Sequence, residues 1–282
     1  MILAGARTVV LERLRRHGRP IIWPAEGING GNYLYLWLRA WCFQRRGLDA
    51  RVRHRPNMGP WLKEFPALAP LTLPAEDVRF RDQRLLGWHQ GYGDDFSQSE
   101  LQEFISDVLL QSVTFRAARD DAEEQIGDID VVVNVRRGDY YSVEGNRRNY
   151  GFDIRAYAQA AVASLLPGGP ESVAFVSDDL DWCYRELPGL WEGTRVVLIP
   201  RSGMMSDFAA LAVAQRLVLA NSTFSYWGGY INTQVRLQPG RIAAPEFHSR
   251  NINEGKSWHL DPRWTIIRNA ASEMYRSRRN DW

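Results

Sequence analysis

Arg136-Arg137-Gly138-Asp139 places two permanently charged, planar guanidiniums beside a carboxylate, directly after the run Val131-Val132-Val133-Asn134-Val135. Guanidinium forks match the paired oxygens of phosphates, and Gly138 lets the chain turn sharply behind them. Two further turns carry compatible chemistry. Ser177-Asp178-Asp179 supplies carboxylates, which accept hydrogen bonds from base N–H groups or ribose hydroxyls. Asn221-Ser222-Thr223 puts small hydroxyl residues where a helix begins, and free N–H groups and the helix dipole favour an anion there. Singly, each turn also fits a plain structural role: an exposed turn for the arginines, helix capping for Asp178, Asp179, Ser222 and Thr223. Together they compose a site for a nucleoside diphosphate-sugar.

Such convergence needs the three turns to leave one edge of one sheet. The second half of the chain reads that way. Strand 129–135 leads through a loop to Asp153, which caps a helix through Ala156, Ala160 and Leu165. Strand 172–177 leads into a helix opened by Asp178-Asp179, and strand 195–199 leads to a helix capped by Ser206. Strand 217–220 runs straight into Asn221-Ser222-Thr223, and 241–244 is a fifth strand. Strands alternating with helices make a parallel sheet with right-handed crossovers, whose ligands bind at the strands' carboxyl ends.

The first half is less periodic. Ile21-Ile22-Trp23 is a short strand, Gly27 to Asn32 a glycine-rich turn, and Tyr33 to Arg46 a helix stopped by Gly47. That helix is apolar almost all round and should be buried. Residues 51–85 read as short strands and loops. Leu85 to Phe96 mixes glycine and aromatics with His89 and Gln90, a composition suited to stacking a sugar, and Ser97 or Ser99 can cap the next helix. The acidic stretch Asp120 to Gly127 marks a domain boundary, giving domains 1–127 and 128–282.

The 282 residues carry a net charge of only +2, so no basic field points to nucleic acid or an anionic membrane. Two cysteines, Cys42 and Cys183, both in apolar helical contexts, suit a reducing compartment. The first residues, Met1 to Arg7, lack a secretion-signal core, and no apolar run approaches a membrane span. The expected location is cytoplasmic.

Asn134-Val135-Arg136-Arg137-Gly138-Asp139-Tyr140 resembles the H-x-R-R-G-D-Y motif of family 11 glycosyltransferases, the α1,2-fucosyltransferases. Phe175 to Cys183 resembles their F-S-D-D-x-x-W-C segment, and Leu219 to Tyr230 their A-N-S-T-F-S-W-W-G-A-Y. Gly87-Trp88-His89-Gln90 is similar to the family's G-Y-x-Q element, and Gly31-Asn32 to the end of its amino-terminal G-G-L-G-N-Q turn.

The resemblance implies a GT-B type α/β fold, two Rossmann-like domains facing a cleft, with the second holding GDP-β-L-fucose. It implies inversion without a cofactor or metal, and a glycan or glycoside acceptor, a galactoside hydroxyl in the family. Arg136 would bind the β-phosphate with Ser222 and Thr223, and Asp178 or Asp179 would read guanine or ribose. Asn32, Asn134, Arg137, Asn221 and Phe224 complete the expected donor site. Trp88, His89 and Gln90 are expected on the acceptor side. Asn134 stands where the family motif has histidine, which leaves the donor base less certain.

An acceptor hydroxyl needs a base and a leaving diphosphate needs positive charge. The base candidates are Glu144, at the offset where the α1,6-fucosyltransferases keep theirs, Asp139, and His89; Glu144 is slightly favoured. Asp139 could instead lock an arginine. Asp179-Leu180-Asp181 also fits a metal-holding D-x-D, a weak match, because acids open helices for dipole reasons. Rival readings are a transferase of another nucleotide sugar and a silent nucleotide- or glycan-binding module. A Rossmann dehydrogenase is disfavoured, since no strand is followed by G-x-G-x-x-G with an acidic residue at the right distance.

Overall fold

A computed structural model describes Arg15 and residues 18–199, 203–238 and 240–268; the expectation for Met1 to Arg7 lies outside them. The chain divides into two units between Phe115 and Arg116. The helix Val113–Ile126 spans that division and takes in most of the acidic stretch expected to mark the boundary.

In the first unit, β1 (Pro20–Ile22), β2 (Arg51–Arg53), β3 (Thr72–Leu73) and β4 (Gln83–Leu85) form a parallel sheet in the order β3-β2-β1-β4. Helix α1 (Asn32–Arg45) buries residues on every side, including Trp37 and Trp41, as its uniform apolarity predicts. It ends in a Schellman motif. Gly47, at φ 79°, donates to the Gln44 carbonyl while Leu48 donates to that of Phe43, both at 3.0 Å. Short helix α2 (Gly59–Glu64) precedes β3. Ser97 and Glu100 form a reciprocal capping box at the start of α3 (Gln98–Phe104), and α4 is Val113–Ile126.

The second unit holds a six-stranded parallel sheet of β5 (Val131–Val135), β6 (Ser172–Ser177), β7 (Arg195–Val197), β8 (Leu217–Val218), β9 (Ile242–Pro245) and β10 (Thr265–Ile267). Its order is β10-β9-β8-β5-β6-β7, with every pairing parallel. β5 lies centrally and every one of its residues is buried, as a strand covered on both faces requires. Val131, Val133 and Val135 share one face with Phe175, Tyr157 and Cys183. Both units are thus the Rossmann-like α/β layers that the strand–helix alternation implies.

Three local features differ from expectation. The loop between β5 and Asp153 contains two short helices, α5 (Gly138–Ser142) and α6 (Glu144–Tyr150). They are too short for hydrophobic periodicity to declare. Asp153 then caps α7 (Ile154–Leu165) and Asp179 caps α8 (Leu180–Glu186), as read. Helix α9 (Met204–Val213) starts from Gly203, so Ser206 lies inside it and returns its hydroxyl to the Gly203 carbonyl. The strand β10 was missed because its half-buried Thr265–Ile267 is too short a run to stand out.

Helix α10 (Thr223–Arg236) follows β8 and packs on α9. Gly228 permits that closeness, since a Cβ there would sit 2.7 Å from Leu211, and Gly229 makes room on another side, where a Cβ would sit 2.9 Å from Leu219 and Trp264. Buried Cys42 and Cys183 are unpaired, and burial pushes both thiols up to about 12, so they stay protonated and unreactive.

Candidate functional site

β8, β5 and β6 are immediate neighbours, so Asn221-Ser222-Thr223, Arg136-Arg137-Gly138 and Asp178-Asp179 leave the carboxyl edge of the sheet side by side. The convergence read from the strand–helix alternation is present within one unit.

Arg136, the more exposed of the two arginines, pairs with the Asp139 carboxylate and lies over the Tyr140 ring, 5.3 Å from its centroid. Its Nη1 also sits 2.7 Å from Asp178 Oδ2, close in distance but outside hydrogen-bonding angles. Arg137 is held differently. Its Nε donates to Asp179 Oδ2 at 2.9 Å, and its guanidinium packs on Tyr141 and Trp182 at 4.4 and 4.1 Å. Its backbone N–H donates to Asp178 Oδ1 at 2.8 Å. Gly138 is required here, since a Cβ would approach within 2.3 Å of Asp178 Oδ2.

Asp179 has a structural partner on each carboxylate oxygen. One oxygen caps α8 through the Trp182 N–H at 3.2 Å and the other holds Arg137. The capping role that the sequence also allowed is the one seen.

Asn134 is buried and faces inward. It donates to the Val176 carbonyl at 2.8 Å and accepts from Ser225 Oγ at 2.5 Å, while Ser225 Oγ accepts the Ala220 N–H at 2.8 Å. This chain of bonds ties β6, β5, the end of β8 and α10 together. Asn221 uses both amide hydrogens on the Tyr150 and His248 carbonyls, each at 2.9 Å. Ser222 occupies the N-cap position of α10 but makes no side-chain capping bond, so the first-turn N–H groups lack that partner. Phe224 packs on Phe208 at 5.1 Å between ring centroids.

Tyr140 stacks on Tyr150 at 4.3 Å, Tyr150 meets the edge of His248, and the His248 ring contacts Tyr226 Oη at 3.1 Å. Burial pushes the Tyr140 phenol above its usual range and lowers His248 to about 4, so both are neutral near pH 7. Nothing in the sequence singled out Tyr150 or His248, because the two lie far from each other along the chain. Glu144 opens α6 and pairs with Arg148 at the surface, where both side chains are about two-thirds exposed.

The acceptor-side residues belong to the first unit. Gln90 Nε2 donates to Asn32 Oδ1 at 3.0 Å, so the glycine-rich turn and the Gly87 loop meet. His89, held at φ 46°, shares its Nδ1 with Asp95 Oδ1 at 3.0 Å, and Asp95 Oδ2 accepts the Gly91 N–H at 2.8 Å. Trp88 is about half exposed. Asn32, expected with the donor residues, is thus paired with Gln90 in the first unit, whereas the other expected donor residues lie in the second unit.

Among the described residues no three His, Cys, Asp or Glu side chains converge as a metal site, and no helix is long and apolar enough to cross a membrane.

The family model of glycosyl transferase family 11 matches residues 72–265, most of the chain, including all three turns of the second unit. The chain belongs to glycosyl transferase family 11. A stretch of 103 residues is 29% identical to an alpha-1,2-colitosyltransferase of Escherichia coli, covering 36% of this chain and 36% of that protein. Among solved structures, NodZ alpha-1,6-fucosyltransferase soaked with GDP-fucose matches at 15% identity and TM-score 0.40, over 76% of this chain and 92% of that one. POFUT1 in complex with GDP matches at 12% identity and TM-score 0.40, over 79% and 74%. A mutant of Arabidopsis thaliana FUT1 in complex with GDP matches at 13% and 0.41, over 85% and 73%. Likenesses this distant assign no residue of the family 11 chain a role.

Proposed function

We propose that this family 11 chain transfers L-fucose from GDP-β-L-fucose to a glycan hydroxyl, with O2 of a galactoside as the first acceptor to try. One observation carries it: the exposed guanidinium of Arg136 and the uncapped start of α10 share the carboxyl edge of adjacent strands. The guanidinium and the first-turn N–H groups of α10 both favour the charge that grows on a leaving diphosphate. Arg136 exchanges a carboxylate partner for a phosphate when the donor enters.

The acceptor hydroxyl attacks the anomeric carbon from the face opposite the diphosphate. The new C–O bond forms as the old one breaks, and GDP departs with the electron pair, giving an α-linked product. Glu144 takes the hydroxyl proton. Its surface pair with Arg148 is weak enough to open. The reaction takes place in the cytoplasm and draws on no metal or cofactor.

The stretch shared with the colitosyltransferase favours a second reading, in which colitose is the transferred sugar. Calorimetry with GDP, UDP and dTDP tests the nucleotide, and mass spectrometry of products from GDP-fucose and GDP-colitose tests the sugar. Preference for UDP, or GDP binding without transfer or donor hydrolysis, would remove the proposal.

A further inference from the structure

The two adjacent arginines are chemically alike, and both were expected to hold the donor, yet the protein treats them differently. Arg136 is exposed and its partners are carboxylates. Arg137 is mostly covered, with its guanidinium against two rings and its Nε spent on Asp179. Stacking on two aromatic faces and a directed N–H bond use the planarity of a guanidinium as well as its charge.

We infer that Arg137 does not touch the diphosphate but positions Arg136; the inference rests on the donor site proposed above. Asp179 is anchored at one oxygen by α8 and at the other by Arg137. Asp178, next in the chain, is gripped by the Arg137 backbone N–H and faces Arg136 at 2.7 Å. Arg137 therefore joins the ends of β5 and β6 into one rigid turn. Loosening it releases Asp178, and with it the wall against which Arg136 is aimed. Trp182 and Tyr141 serve the same brace although neither is charged.

This gives an uncharged residue a testable part in donor use. Arg137→Gln and Trp182→Leu are compared with the wild-type chain for GDP affinity by calorimetry and for kcat and KM in transfer, with folding checked by thermal melting. Each variant is expected to lower kcat roughly tenfold to a hundredfold, the scale of a small misplacement in a positioned site. The double variant should lose no more than the worse single one, because both remove the same brace. Trp182→Phe, which keeps a ring, should restore most of the rate.

Near-wild-type turnover in folded Trp182→Leu, or losses that add in the double variant, would each overturn the inference and leave the donor site standing. Should Trp182→Leu fail to fold, Tyr141→Leu removes the other ring and is read the same way. A wild-type chain that binds no GDP would defeat the donor site and this inference together.

Discussion

Ser225 Oγ donates to Asn134 Oδ1 at 2.5 Å, joining the first turn of α10 to the central strand across 91 positions of sequence. Both side chains are buried, and Ser225 also receives the Ala220 N–H. Ser225→Ala orphans that N–H and the Asn134 acceptor. A buried group left unpaired costs roughly 1–3 kcal/mol. Urea unfolding should show a loss in that range or somewhat above it; an unchanged midpoint would mean the bond contributes nothing.

Arg136→Ala removes the exposed fork while leaving Arg137 in place. Losing one charge-assisted bond costs about 1.5–3 kcal/mol, or about tenfold to a hundredfold in GDP affinity. Transfer should fall further than binding, because charge on the diphosphate grows as the bond breaks. Turnover at the wild-type rate would end the donor-site assignment.

The base is separated from its rival by two conservative changes. Glu144→Gln should lower kcat by roughly 10²–10⁴ with KM little changed, and erase the acid limb of the pH–rate profile. Asp139→Asn should spare turnover and tighten GDP binding, since it removes a carboxylate that competes for Arg136. The reverse pattern would make Asp139 the base.

Chelation bears on the Asp179-Leu180-Asp181 reading. Asp179 is spent on Arg137 and the α8 cap, so EDTA should leave transfer intact. Loss of activity restored by Mn²⁺ would favour the metal-holding alternative.

Stability should fall as the medium is acidified. Burial lowers His248 to about 4 and drives His259 down as well, helped by the neighbouring His248. An unfolded histidine titrates near 6.5, so between pH 6.5 and about 4 the unfolded chain binds more protons. Folding stability then drops by about 1.4 kcal/mol per pH unit for each such group. Denaturant midpoints at pH 7 and 5 check this, and His248→Gln should show a shallower decline.

The sequence by itself determined everything that rests on local spacing. Alternating β-branched runs and helices set the parallel sheet of the second unit. Gly47 set the end of α1, the serines at 97 and 99 marked the start of α3, and the strand–helix alternation put three reactive turns at the carboxyl ends of strands. Tertiary structure decided what each polar side chain was free to do. Arg136 and Arg137 are indistinguishable along the chain; Trp182, brought beside them by β6, makes one a brace and leaves the other exposed. Asn134, expected near the nucleotide base, is consumed by Val176 and Ser225. Availability of a hydrogen-bonding group depends on partners tens of residues away, and only the folded chain supplies them.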